Sequence, residues 1–162
     1  AKGWNYEGGI RVPLIVYWPG QTKPQTMSHS IVTGTDFYPT IMEMLNIPKL
    51  PEQHVDGKSF VNALKGKTHE RGAIYWHFPH YSNHGYQSPG GAIRLGNYKL
   101  LEYYENSTVQ LFDLHNDPGE QNDLSKSKPE ITKKLLSMLH DWRKNVGAKM
   151  PKVKAAHNSS RN

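Results

Sequence analysis

The chain has no cysteine among its 162 residues. That excludes a disulfide framework, thiolate metal sites and a cysteine nucleophile within these residues. No apolar run approaches the ~18–20 residues of a membrane-spanning helix, so no membrane partner is expected. There is no Gly-rich phosphate loop of the Walker or Rossmann type and no Gly-x-Ser-x-Gly elbow. No internal repeat is visible. Core-forming residues are also thin: apolar residues plus glycine, without tyrosine, make up about 39%, below the ~45–50% of an ordinary soluble domain. A loop-rich domain has this composition, and so does a piece that leans on a partner. The charged share of 21% and aromatic share of 10% argue against intrinsic disorder. No Met begins the chain and no leader is visible; Ala1-Lys2-Gly3-Trp4 reads as a cut inside a longer protein.

Charge is unevenly distributed. The net charge is −2 through Leu124 and +8 from Ser125 onward. A basic end of this kind suits an acidic polymer. No aromatic residue interleaves with Lys152, Lys154 and Arg161, so base stacking has little support. The simpler reading is a solvated, lysine-rich helix face and tail, without a nucleic-acid partner.

Apolar patterning divides the chain. Val12 to Trp18 is almost continuously apolar and closed by Pro19-Gly20, which predicts a strand buried on both faces. Ile31 to Thr33 predicts a short second strand. A helix is expected from an Asp36 N-cap to about Leu45, with Phe37, Ile41, Met44 and Leu45 on one face. A shorter one is expected over 59–65, with Gly66 as its C′ residue. The pattern then becomes antiparallel. Strands are predicted over 73–78, 92–95, 98–104 and 109–114, with Gly96-Asn97 as a two-residue hairpin. Asp117-Pro118-Gly119 is a turn. In the last helix Ser127 and Glu130 have capping-box spacing. Ile131, Leu135, Met138, Leu139, Trp142 and Val146 form its stripe.

Three histidines, His77, His80 and His84, fall within eight residues among Trp76, Tyr81 and Tyr86. One reading is a site rim that donates to an anionic or hydroxyl-rich ligand. The other is ordinary strand and loop histidines. Pro79 breaks any helix between them, so their spacing does not suit a metal, and no metal site is expected here.

The run Lys2-Gly3-x-x-Tyr6-Glu7-Gly8-Gly9-x-Arg11-x-Pro13 resembles a signature of the type I, formylglycine-dependent sulfatases. The order downstream is similar to that family too. It runs through Pro19-Gly20, Asp36-Phe37-Tyr38-Pro39-Thr40 and Asp56-Gly57-Lys58-Ser59. It continues with Ala92-Ile93-Arg94, Lys99-Leu100 and Leu111-Phe112-Asp113-Leu114, and ends in Asp117-Pro118-Gly119-Glu120. The series is collinear over about residues 1–150.

The resemblance implies an α/β fold, α+β in its C-terminal part. Residues 1–70 would be the end of a large alkaline-phosphatase-like α/β domain. Residues 71–150 would be a small antiparallel sheet with a C-terminal amphipathic helix, and 151–162 a flexible basic tail. It implies hydrolysis of sulfate esters of a small molecule or carbohydrate, in a periplasmic or extracellular setting. Calcium and a formylglycine nucleophile would serve the full-length enzyme, with neither held by this piece. The N-terminal sulfatase domain would be a required partner, leaving this chain inactive alone. Lys2 matches the lysine that contacts the sulfate group. His77, His80, His84 and Arg94 are candidates for substrate contacts, although a strand arginine paired to a carboxylate is an equally good reading of Arg94. A related phosphoester hydrolase and a non-catalytic module that binds anionic sugars are the competing readings.

Overall fold

A computed structural model describes residues 3–50, 52, 56–82 and 87–152. The chain divides into two compact units. One comprises the described residues of 1–11 and 73–162, and the other is Val12–Gly72.

The first unit is built on one sheet. β1 (Ile74–Phe78), β2 (Gly90–Leu95), β3 (Tyr98–Tyr103) and β4 (Thr108–Asp113) pair in sequence order, each antiparallel to the next. Leu95 faces Tyr98 across the Gly96-Asn97 turn. Gly96 takes φ +59°, the positive first central angle of a two-residue type II′ hairpin. Both faces of the sheet are covered. Ile93, Leu100 and Leu111 point toward α4 (Pro129–Asn145) and pack with Leu135 and Leu139. Tyr75 stacks on Trp142 with ring centroids 4.9 Å apart. On the opposite face Ala92, Leu101, Phe112 and Leu114 are buried beneath Tyr6, which lies just before the single turn α1 (Glu7–Ile10). β4 alternates: Val109 and Leu111 face α4, and Phe112 and Leu114 face away.

Helix α4 follows its predicted stripe through Trp142, but Val146 is exposed. Its start differs from the expected capping box. Lys128 is the N-cap, Pro129 occupies the first turn, and the Ser127 hydroxyl donates to the Leu124 carbonyl. Proline needs no partner for a missing N–H, so the first turn costs little without a side-chain cap.

The second unit departs further from expectation. Val12 to Trp18 forms no strand, and Ile31 to Thr33 forms none either. Val12, Ile15 and Tyr17 are 79%, 92% and 84% exposed. An apolar run specifies burial, but a strand also needs a neighbour to complete its ladder. Among the described residues the four-stranded sheet is the only one, and it does not include this run. Helix α2 (Phe37–Met44) forms where predicted, yet Phe37, Ile41 and Leu45 are exposed and it buries Pro39 and Thr40 instead. Asp36 does not cap α2 with its side chain. It closes the short 3-10 turn Gly34–Asp36, accepting from Thr33 N. Helix α3 (Val61–Leu64) ends where expected, with Gly66 at φ +71°.

Candidate functional site

The signature run belongs to the first unit, and its anchoring is polar. The Asn5 N–H donates to Gln87 Oε1 at 2.9 Å, and Gln87 is buried. Tyr6 Oη donates to Gln110 Oε1 at 2.5 Å and receives Tyr103 Oη–H at 2.8 Å. Burial pushes the Tyr103 phenol far above the ordinary tyrosine range, and its bond to Tyr6 adds to the shift. Gly9 permits a close fold-back, since a Cβ there would sit 2.1 Å from the Trp4 carbonyl oxygen.

Glu7 is the centre of the arrangement. Its Oε1 lies 3.1 Å from Lys99 Nζ, and its Oε2 lies 3.3 Å from Arg94 and 3.8 Å from Arg11. Lys99 Nζ is also 2.9 Å from Glu120 Oε1. Glu120 Oε2 then accepts the Glu7 N–H at 2.6 Å. The Lys99 side chain is 0% exposed, and those of Glu7 and Glu120 are 7% and 4% exposed. A buried cation of this kind needs its partners, because removing one leaves an uncompensated charge out of water. Burial lowers the Arg94 pKa, and the neighbouring Glu7 opposes that shift.

The face covered by α4 carries a second polar group. His77 Nε2 lies 2.9 Å from the Lys149 carbonyl, and Nδ1 lies 2.7 Å from Tyr104 Oη. A carbonyl can only accept, so Nε2–H donates to Lys149, while Nδ1 shares a hydrogen bond with Tyr104 Oη. Arg143 lies over the Tyr104 ring at 5.0 Å and pairs with Glu102 at 2.7 Å. His140 joins the same carboxylate at 2.9 Å.

The predicted site residues therefore separate. His77 shares the α4 face with Tyr75, while Arg94 lies on the opposite face with Glu7. Both ring nitrogens of His77 are engaged. His80 is exposed and meets Phe78 edge-on at 5.9 Å. Lys2 and His84 lie outside the described residues. Glu7 also pairs with Arg11, at the long distance already given. Lys99 and Glu120 were not singled out as site builders. A lysine between Tyr98 and Leu100-Leu101 in a strand was the available signal, because it had to lie on a buried face.

The resemblance implies calcium and formylglycine, and the residues present do not fit either. Calcium takes 6–8 oxygen ligands. Asp117 accepts the Gln121 and Asn122 N–H groups, Asp113 that of His115, and Asp123 those of Leu111 and Ser125. The Asn116 side-chain amide, with the His115 N–H, holds Asp113 below the usual carboxylate range, and the Gln121 and Asn122 N–H groups hold Asp117 there. Burial works against the shift at Asp123, but its N–H donors prevail. Among the described residues no three His, Asp or Glu side chains converge as metal ligands. No [Cys/Ser]-x-Pro-x-Arg run occurs in the sequence. No described helix is long and apolar enough to cross a membrane.

Residues 1–145 match the family described as N-sulphoglucosamine sulphohydrolase, C-terminal. This chain belongs to the sulfatase family. A sulfatase from Formosa agariphila is 32% identical over 157 residues, covering 87% of this chain and 28% of the relative. An N-acetylgalactosamine-6-O-sulfatase from Bacteroides thetaiotaomicron is 27% identical over 83% of this chain and 27% of its own length. A solved 2-O GAG sulfatase matches 70% of this chain and 25% of that protein, with 25% identity and a TM-score of 0.56. This sulfatase chain thus spans about 28% of the Formosa relative's length. Within it, the fold is the expected mixture of α and β with a four-stranded antiparallel sheet and a C-terminal helix. The ion-paired core of the sulfatase signature joins residues from both ends of the motif series, Glu7 and Glu120.

Proposed function

We propose that this chain is the C-terminal part of a sulfatase that hydrolyses sulfate esters of a carbohydrate. The observation that carries the reading is the contact between Glu7 of the signature run and Glu120 of the Asp-Pro-Gly-Glu turn. Motif residues far apart in sequence thereby become one buried assembly. Relatives named for N-acetylgalactosamine 6-O-sulfate and for GAG 2-O-sulfate support the sugar class.

Cleavage of a sulfate ester builds negative charge on the sulfuryl oxygens and on the departing alcohol oxygen. Fixed cations aimed at those atoms lower the barrier. Lys2 is the residue of this chain assigned to that task. The nucleophile, and the calcium expected beside it, belong to sequence that this chain does not contain. The isolated chain is therefore inactive in this reading. Among the described candidates, exposed His80 is the one best able to reach a ligand. The expected setting is periplasmic or extracellular.

The test is Lys2→Ala in the full-length parent, assayed by sulfate release from sulfated monosaccharides. Turnover should fall by roughly 10²–10³, as for loss of one charge-stabilising donor. An unchanged turnover number removes Lys2 from the site. Release of phosphate rather than sulfate would favour the phosphoester reading. Turnover by the 162-residue chain alone would overturn the division of labour.

A further inference from the structure

We propose that Lys99, gripped by Glu7 and Glu120, is a positioning residue that fixes residues 3–7 of the signature run, on which the sulfate-contact role proposed for Lys2 depends. The inference rests on the sulfatase reading and on the sulfate-contact role of Lys2 within it.

The geometry gives three reasons. First, Lys99 is the only described group that bridges the two carboxylates, with Nζ at 3.1 Å from Glu7 and 2.9 Å from Glu120. Its side chain is fully buried, so water cannot replace it. Second, Glu120 grips the main chain of the run itself, accepting the Glu7 N–H at 2.6 Å. Side-chain charge and backbone position are therefore coupled at one residue. Third, the chain from Glu7 back to Trp4 has little freedom. Tyr6 is tied to Gln110 and Tyr103, Asn5 to Gln87, and the Trp4 carbonyl packs against Gly9. A shift at Glu7 is passed along this short, tethered path. Lys99 touches no reacting atom in this account and acts only through the backbone of residues 3–7.

A misplaced donor weakens the transition state more than the ground state. Displacements near 1 Å can cost roughly 10²-fold. Loss of the clamp should therefore fall on kcat and spare KM.

The experiment uses the full-length parent. Lys99→Met leaves two carboxylates facing each other without their shared cation. Lys99→Met with Glu120→Gln restores charge balance, and Glu120→Gln alone is the milder probe. We expect kcat to fall roughly 10²-fold in Lys99→Met with KM nearly constant. The double variant should regain about ten-fold of that loss, a coupling that two independent sites would not show. Hydrogen exchange at the amides of residues 4–7 should quicken in Lys99→Met while β2 and β3 keep their protection. If Lys99→Met does not fold, Glu120→Gln carries the same kcat and exchange readouts with a smaller effect.

Unchanged kcat in a folded variant overturns the proposal. So does protection lost equally across the whole sheet without rescue, which would make Lys99 a structural residue only. A wild-type parent that releases no sulfate fails on the functional reading instead, before any variant is compared.

Discussion

The two units treat their apolar residues in opposite ways. Around the sheet, Ile93, Leu100, Leu111, Leu135 and Leu139 are sealed inside. Among the described residues of Val12–Gly72, Phe60 and Val61 are the buried hydrophobics, while Val12, Leu14, Ile15, Tyr17, Met27, Ile41 and Leu45 are exposed. The centre of that second unit is a carboxylate. Asp36 is fully buried and accepts from Lys58 N at 2.8 Å, Thr33 N at 2.9 Å and Arg71 Nε at 2.7 Å. Its carbonyl receives the Thr40 hydroxyl at 2.6 Å, and Thr40 in turn accepts the Phe60 N–H. One unit is held by area removed from water, the other by directed polar bonds around one anion. The contrast teaches that a polar hub can shape a segment many of whose described apolar residues stay exposed.

The comparison can be broken first at the hub. Asp36→Ala removes the carboxylate partner of the Arg71 guanidinium and the acceptor of two part-buried N–H groups. It should cost about 3–5 kcal/mol, in the range for breaking a buried pair. Hydrogen exchange should report the loss in residues 33–64 and leave the sheet protected. Leu139→Ala tests the other unit. Its side chain is 0% exposed, and truncation should cost about 2–5 kcal/mol, read by thermal melting and by exchange in β2 to β4. A loss confined to the opposite unit in either variant would refute the division. The smallest effect sharpens the contrast. Ile15→Ser in this chain should change stability by no more than about 0.5 kcal/mol, as for an exposed site. The same substitution in the full-length parent should cost more, and equal values would show that nothing covers Ile15 there.

Local chemistry was legible in the sequence. Gly96-Asn97 marks its hairpin because positive φ and a two-residue spacing are written in adjacent residues. Helix α4 is legible because its stripe repeats every three to four residues. What escaped depends on distance along the chain. Asp36 meets Arg71 across 35 residues, and Glu7 meets Lys99 across 92. No short window contains both partners. Val12 to Trp18 failed for a related reason: composition states what a segment avoids, but not whether a neighbour is present. His77 and Arg94 looked alike as site candidates because alternation could not say which face each would take. The structure puts them on opposite sides of the sheet.

The bond from the Glu7 N–H to Glu120 spans 113 positions, and that separation has a consequence in time. Ribosomes add roughly 5–20 residues per second. The signature run is therefore made about 6–23 s before the carboxylate that receives it, on that rate. Contacts between such distant positions form late, after local hairpins and helices. During synthesis the run that carries Lys2 is the first part of this chain to appear and among the last to be secured. A cell making this protein must keep Trp4, Tyr6 and the apolar residues behind them from other company in the interval.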